Sequence, residues 1–235
     1  MIAERQKLIL DAIIKQYIDS AQPVSSKLLE KKHGFHVCPA TIRNDMQRLT
    51  ELGYLHQPHT SAGRVPTDKA YRFFVDNLLE QEVLEFKDIF DIKAILHEST
   101  QDIFKLVPNL LKCMAETSSS LAVVHLFDKD FIWKEGWEEL LKEPEFSQKD
   151  FIHSFTNFLK GFEENIKEIE TDSDLRIFIG EENPVSKVDS FSVIYSRCYF
   201  PDNEEAMLAL LGPKRMDYNK NISLMNSLMK LLADF

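Results

Sequence analysis

The chain has 235 residues, 44% of them hydrophobic and 28% charged, with a formal net charge of −10 at pH 7. That length suits one large domain or two modest ones, each burying its own core. The apolar runs fall well short of the ~20 residues a bilayer-crossing helix needs. Cys38, Cys113 and Cys198 lie far apart without a CxxC pair, and no apolar run with a cleavage site precedes the first helix. Neither membrane insertion nor a disulfide framework is indicated, and a reduced, cytoplasmic chain is expected.

The charge is unevenly spread. Residues 1–80 hold 11 Lys and Arg against 9 Asp and Glu, whereas residues 81–235 hold 17 against 29. Screening at physiological salt cuts exposed charges off beyond ~8 Å, so a locally basic surface on the first part can still meet a polyanion.

A first helix is expected from Ala3 to Ser20, with Ile9, Ile13 and Tyr17 on one stripe and Leu10, Ile14 and Ile18 beside it. Pro23 centres a break over residues 21–24. Ser25 or Ser26 can cap a short second helix that Gly34 ends. A third helix opens at Pro39, where the missing N–H costs nothing, and closes near Leu52 and Gly53. Ile42, Met46 and Leu49 mark its buried side. At about 100° per residue, Ala40, Thr41, Arg43, Asn44, Gln47 and Arg48 fall on the outward face, and Asp45 at its edge, where pairing within the protein is expected. Small and polar groups there allow close approach to a major groove. Arg43 and Arg48 can reach guanine edges or phosphates, and Asn44 or Gln47 can pair with adenine.

Tyr54–Gln57 and Arg64–Val65 read as a short hairpin around Pro58 and Ala62, with His59, Thr60, Ser61, Gly63 and Arg64 forming a wing that touches backbone phosphates. Thr67 caps a helix whose Ala70, Phe73, Phe74 and Leu78 close the core. Three helices, a wing and a closing helix make a winged helix-turn-helix over residues 1–80.

Beyond it the pattern is helical over 85–117, interrupted near Pro108, and residues 81–117 are expected to be a helical linker. Residues 118–235 read as a sheet with helices. Strands are expected at Leu121–Phe127, Leu175–Ile179, Phe191–Tyr199 and Ala206–Leu211, with Pro201, Asp202 and Asn203 turning the last two into a hairpin. Ser147 is a candidate cap for a helix bearing Phe151, Phe155, Phe158, Phe162 and Ile166, a spacing that reads as core. A final helix follows Asp217. The fold class is therefore α+β.

PATIRNDM (39–46), LEKKHGF (29–35), ELGYLHQPHTSAGRVPTDKAYRFFVD (51–76) and LLGPKRMDY (210–218) together resemble the HrcA family of heat-inducible transcription repressors. The resemblance implies a non-enzymatic homodimer that represses chaperone genes from CIRCE, an inverted-repeat operator in double-stranded DNA, and whose active form depends on the GroE chaperonin. It also implies a GAF-like α/β domain over 118–235. In that part, however, the chain passes from HLFDKDF almost directly into IWKEGWEELLKEPEF, so that much of the family's dimerising insert is missing. PEF at 144–146 and EENP at 181–184 resume the pattern. Two other readings stay open: a winged-helix regulator that senses a small molecule, and an accessory chaperone-interacting protein that has lost autonomous operator binding.

No cofactor or metal is expected. His33, His36 and Cys38, or the pair His56 and His59, offer too few converging ligands for zinc. Cys38 at a helix N-terminus reads as a tolerated cap in preference to a redox switch, since no resolving cysteine is near it in sequence. Lys214, Arg215, Asp217 and Tyr218 read as a turn and a helix cap, with a chaperonin contact as the second reading.

Overall fold

The structure, a computed structural model, describes residues 2–33, 35, 37–79, 91–96, 102–169, 175–184 and 188–234. The chain divides into two compact units, Met1–Glu80 and Gln81–Phe235.

In the first unit α1 (Glu4–Ser20), α2 (Ser26–His33), α3 (Pro39–Glu51) and α4 (Asp68–Asn77) surround a small ladder of β1 (Leu55–His56) and β2 (Val65–Pro66). Helix α1 buries Ile9, Leu10, Ile13 and Ile14 completely. It stops where Ala21 turns left-handed and donates its N–H to the Tyr17 carbonyl. Of the two serines that could cap α2, Ser25 does so by accepting the Leu28 N–H at 3.2 Å, which leaves Ser26 as a buried first helical residue. Gly34 lies outside the described residues.

Helix α3 buries Ile42, Met46 and Leu49. Asp45 is paired within the protein as its position on the wheel suggested, accepting from Arg5 Nε at 2.7 Å and from Gln6. At the far end Gly53 adopts φ +78°, and the Tyr54 N–H reaches back to the Leu49 carbonyl, a closure that a residue with a Cβ resists. Thr67 then accepts the Ala70 N–H and donates to the Gly53 carbonyl, so one hydroxyl caps α4 and ties it to the end of α3. Tyr71, fully buried, joins Ala70 and Phe74 in the core where the sequence pattern had favoured Phe73 and Leu78.

In the second unit residues 91–96 are helical, with Ile92 and Leu96 buried. Helix α5 (Ile103–Ser118) runs straight through Pro108, correcting the expected interruption. The proline lies early in the helix, so the ring removes one backbone bond while the turns after it stay anchored by buried Leu110, Leu111 and Met114. Asp102 caps the helix by accepting the Phe104 N–H.

The sheet has five antiparallel strands in the order β4-β3-β7-β6-β5: β3 (Leu121–Leu126), β4 (Phe131–Glu135), β5 (Arg176–Ile179), β6 (Phe191–Phe200) and β7 (Glu204–Pro213). Strand β4 was not anticipated. It is an edge strand whose residues are only half-buried, so it lacks the continuous apolar run that betrays β3. After a short helix α6 (Trp137–Leu140), α7 (Lys149–Asn165) lays Phe155, Phe158 and Phe162 on one face of the sheet, with Phe191 5.0 Å from Phe158 and 5.1 Å from Phe155 between ring centroids. Each buried Phe contributes about 1.5–3 kcal/mol relative to exposure. Ser147 does not cap α7. Its hydroxyl donates to the Pro144 carbonyl, closing a 3-10 turn, and Gln148 takes the cap position.

Helix α8 (Tyr218–Ala233) packs with α5 on the opposite face, capped by Asp217 through the Lys220 N–H at 3.1 Å. The preceding Arg215 is buried and forms ion pairs with both Glu143 and Glu145. Burial opposes its charge, but the hydrogen bonds and attraction of the two carboxylates outweigh that and hold its pKa above the ordinary arginine value. Tyr218 donates to the Lys214 carbonyl at 2.6 Å and shares a 2.8 Å bond with Ser192. The KRMDY stretch is thus a corner that locks the last helix to the sheet and to the segment before α7.

On β3, His125 is completely buried, with Asp130 3.4 Å from Nε2 and the Phe127 ring against it. Burial lowers its pKa below the ordinary 6.5, partly offset by Asp130. The folded state therefore binds fewer protons than the unfolded chain, so the contribution of neutral His125 is complete above pH 6.5 and is lost as pH falls toward the lower folded value. In urea titrations at pH 7.5 and pH 5.5 the wild type should lose more stability on acidification than His125→Leu. An equal loss would remove His125 from the pH response.

Candidate nucleic-acid interface

Helix α3 presents Ala40, Arg43, Asn44, Gln47 and Arg48 to solvent, with Thr41 half-buried. Among the described residues no hydrogen bond or ion pair engages Arg43 or Asn44, so both side chains are free to reach outward. Arg48 is held at 3.0 Å by Glu51 one turn on, an exposed pair of small energetic weight that a phosphate can displace. Thr41 Oγ1 lies 3.3 Å from Cys38 Sγ, and that hydrogen bond is the leading cause of a lowered thiol pKa.

The hairpin pairs Leu55 with Pro66 and His56 with Val65, and its loop is fixed from within. Gln57 Nε2 donates to the carbonyls of Thr60 and Ala62, both at 2.9 Å, while His59 Nδ1 meets Ser61 Oγ at 3.1 Å. His59, Thr60 and Ser61 are the exposed tip. Arg64, at the edge of the wing, is held within the protein. Its Nε donates to Thr50 Oγ1 at 3.0 Å and its Nη2 to Gln47 Oε1 at 3.2 Å, so the guanidinium braces the wing against α3. Gln47 in turn keeps its amide NH2 for an outside partner, because the bond to Arg64 uses the oxygen.

A third strand-like contact completes the frame. Val24, in the loop between α1 and α2, exchanges both backbone bonds with Arg64 at 2.9 and 2.8 Å. Next to it a Cβ on Gly63 would sit 2.4 Å from the Val24 carbonyl oxygen, so that position is glycine for close approach of two backbones. Gly63→Ala should push the two strands apart and destabilise the first unit by about 1–3 kcal/mol, the usual cost of overpacking. Faster hydrogen exchange at the Val24 and Arg64 amides would report it, and unchanged exchange would contradict it.

Arg43, Ser25, Lys27, Gln57 and the wing residues Thr60–Arg64 line a common cleft of about 410 Å³. The structure thus brings the start of α2, Arg43 of α3 and the wing together, whereas Ala40, Thr41, Asn44, Gln47, Arg48 and His59 do not line that cleft. Sequence reasoning missed Ser25 and Lys27 as lining residues and Gln57 as the loop's internal brace. The available signals were weak: an extended Pro-Val-Ser before a helix, and an amide side chain at the foot of a loop rich in unpaired carbonyls.

Two family models match the chain. The description "Winged helix-turn-helix transcription repressor, HrcA DNA-binding" covers residues 1–79, and "HrcA protein C terminal domain" covers residues 64–222. Among curated relatives, a heat-inducible transcription repressor HrcA from Geobacter sulfurreducens is 30% identical over 336 aligned positions, spanning 99% of this chain and 97% of the relative. One of the same name from Thermodesulfovibrio yellowstonii is 28% identical over 345 positions, with the same two coverages. Both alignments are far longer than the 235 residues of this chain, so these relatives carry internal residues that it lacks. A third, from Acetivibrio thermocellus, is 41% identical over 126 residues, 54% of this chain and 36% of its own. A crystal structure of a hypothetical protein superposes with a TM-score of 0.79 at 18% identity, covering 100% of this chain and 98% of that one, a likeness of fold.

Proposed function

This chain belongs to the HrcA family of winged-helix transcription repressors, and from that premise we propose that it binds, as a homodimer in the cytoplasm, an inverted-repeat operator of the CIRCE type ahead of chaperone genes. Helix α3 enters the major groove. Arg43 and Asn44 read base edges, Gln47 reads with its free NH2 group, and Ala40 and Thr41 allow the approach. Arg48 and the wing tip, His59, Thr60 and Ser61, lie along phosphates. Gly63 and Arg64 act from behind, holding the wing at its angle to α3.

The observation that carries this reading is that Arg43 and Asn44 are exposed and uncommitted on the side of α3 opposite Ile42, Met46 and Leu49, beside a wing braced to the same helix. A helix merely facing solvent needs no such brace. Heat acts by lowering the active fraction, and the GroE chaperonin restores it. Operator titrations of heat-treated protein with and without the chaperonin test this. Recovery of binding sites with unchanged affinity is expected, and no recovery would detach the chaperonin from the mechanism.

A further inference from the structure

Strand β4 ends the sheet, and among the described residues no strand pairs with its outer edge. Soluble proteins blunt such edges with charge, proline or a covering element, because open N–H and C=O groups invite another strand. Here the edge reads Phe131-Ile132-Trp133-Lys134-Glu135. Phe131 is 39% exposed, Trp133 lies 5.6 Å from it, and Phe104 of α5, 55% exposed, lies 6.3 Å away on the same face. We propose that β4 pairs antiparallel with β4 of a second copy about a twofold axis through Ile132, joining two five-stranded sheets into one. This rests on the reading of the chain as a dimer on a twofold operator, and assigns the surface that makes it one.

The register follows from complementarity. A twofold axis normal to the sheet keeps each face continuous, so residues that meet across it must share a face. With the axis at Ile132, Phe131 faces the partner's Trp133, and Lys134 comes beside the partner's Asp130, the last residue of the turn before β4. Each of these cross-strand pairs is aromatic with aromatic or opposite in charge, the combinations that stabilise sheets. Moving the axis to Trp133 would set Phe131 against a carboxylate and Ile132 against an ammonium. Asp130 and Lys134 already pair with Lys167 and Glu163, yet their side chains stay 68% and 31% exposed and can take a second partner.

Analytical ultracentrifugation of the full chain without DNA, at micromolar concentrations, tests the assignment. The wild type should dimerise, and Phe131→Glu should raise the dimer dissociation constant by about tenfold or more with its circular dichroism unchanged. Adding Trp133→Lys to Phe131→Glu should recover part of the loss, since the new charges face each other across the axis. Should Phe131→Glu lose its fold, Lys134→Asp, which sets two carboxylates face to face across the axis, should give the same weakening. A monomeric wild type, or a folded Phe131→Glu or Lys134→Asp that dimerises as tightly as wild type, would overturn the surface. Binding to a single half-site duplex separates this from the DNA reading. Folded Phe131→Glu should bind a half-site as the wild type does, whereas dimerisation through β4 with no binding to any duplex would leave the surface standing and remove the operator.

Discussion

Arg43→Ala weakens operator binding by about 1–3 kcal/mol, roughly fivefold to 150-fold, if Arg43 makes the bidentate guanine contact that its length and position on α3 allow. The fold should not notice the change. Arg43 is exposed and holds no partner among the described residues, so its removal leaves stability within about 0.5 kcal/mol. The salt dependence refines its role. A base-edge contact costs affinity chiefly on the true operator, whereas a phosphate contact costs it on every duplex and reduces the salt slope by about 0.9. Unchanged affinity and unchanged slope would mean that α3 does not enter the groove by this face. Arg64→Ala should act otherwise, because Arg64 braces Thr50 and Gln47. It should loosen the wing and shift Gln47, with losses on both specific and random duplexes.

The second large effect lies in the other unit. Arg215→Met removes the cation that two carboxylates, Glu143 and Glu145, were folded around. Breaking one side of a buried ion pair costs about 3–5 kcal/mol, and the glutamates here keep side-chain exposures of 21% and 23%, which places the expected loss near the lower end. Both tryptophans, Trp133 and Trp137, belong to this unit, so their fluorescence in a urea titration reports its unfolding selectively. Neutralising the orphaned partners in the triple variant Arg215→Met, Glu143→Gln, Glu145→Gln should recover much of the loss. Arg215→Lys should recover little, because a point charge cannot hold both carboxylates in the fork geometry of a guanidinium. A loss below about 1 kcal/mol for Arg215→Met would show that the corner is held by Tyr218 and packing instead.

The winged helix was readable because its signals are local. The stripe of α1, Pro39 at the start of α3, Gly53 at its end and Thr67 as a cap each act within a turn or two, where spacing alone decides geometry. The Phe row of α7 was readable for the same reason. Sequence was silent where partners are distant. Arg64 meets Gln47 across 17 positions and Arg215 meets Glu145 across 70, and no pattern announces such pairs. It was also silent at the edge of the sheet, because β4 has neither the buried run of β3 nor a tight-turn signature before it. Pro108 misled because a helix-breaking preference was weighed without the buried leucines that hold α5 together.

Titration of the wild-type chain against an inverted-repeat duplex and a scrambled one of equal length and composition, over a range of salt, tests the reading of α3 and the wing most directly. The inverted repeat should bind about a thousandfold tighter or more, as a dimer, with affinity falling steeply as salt rises and with Arg43→Ala collapsing much of the difference. Equal affinity for both duplexes across that range would contradict it.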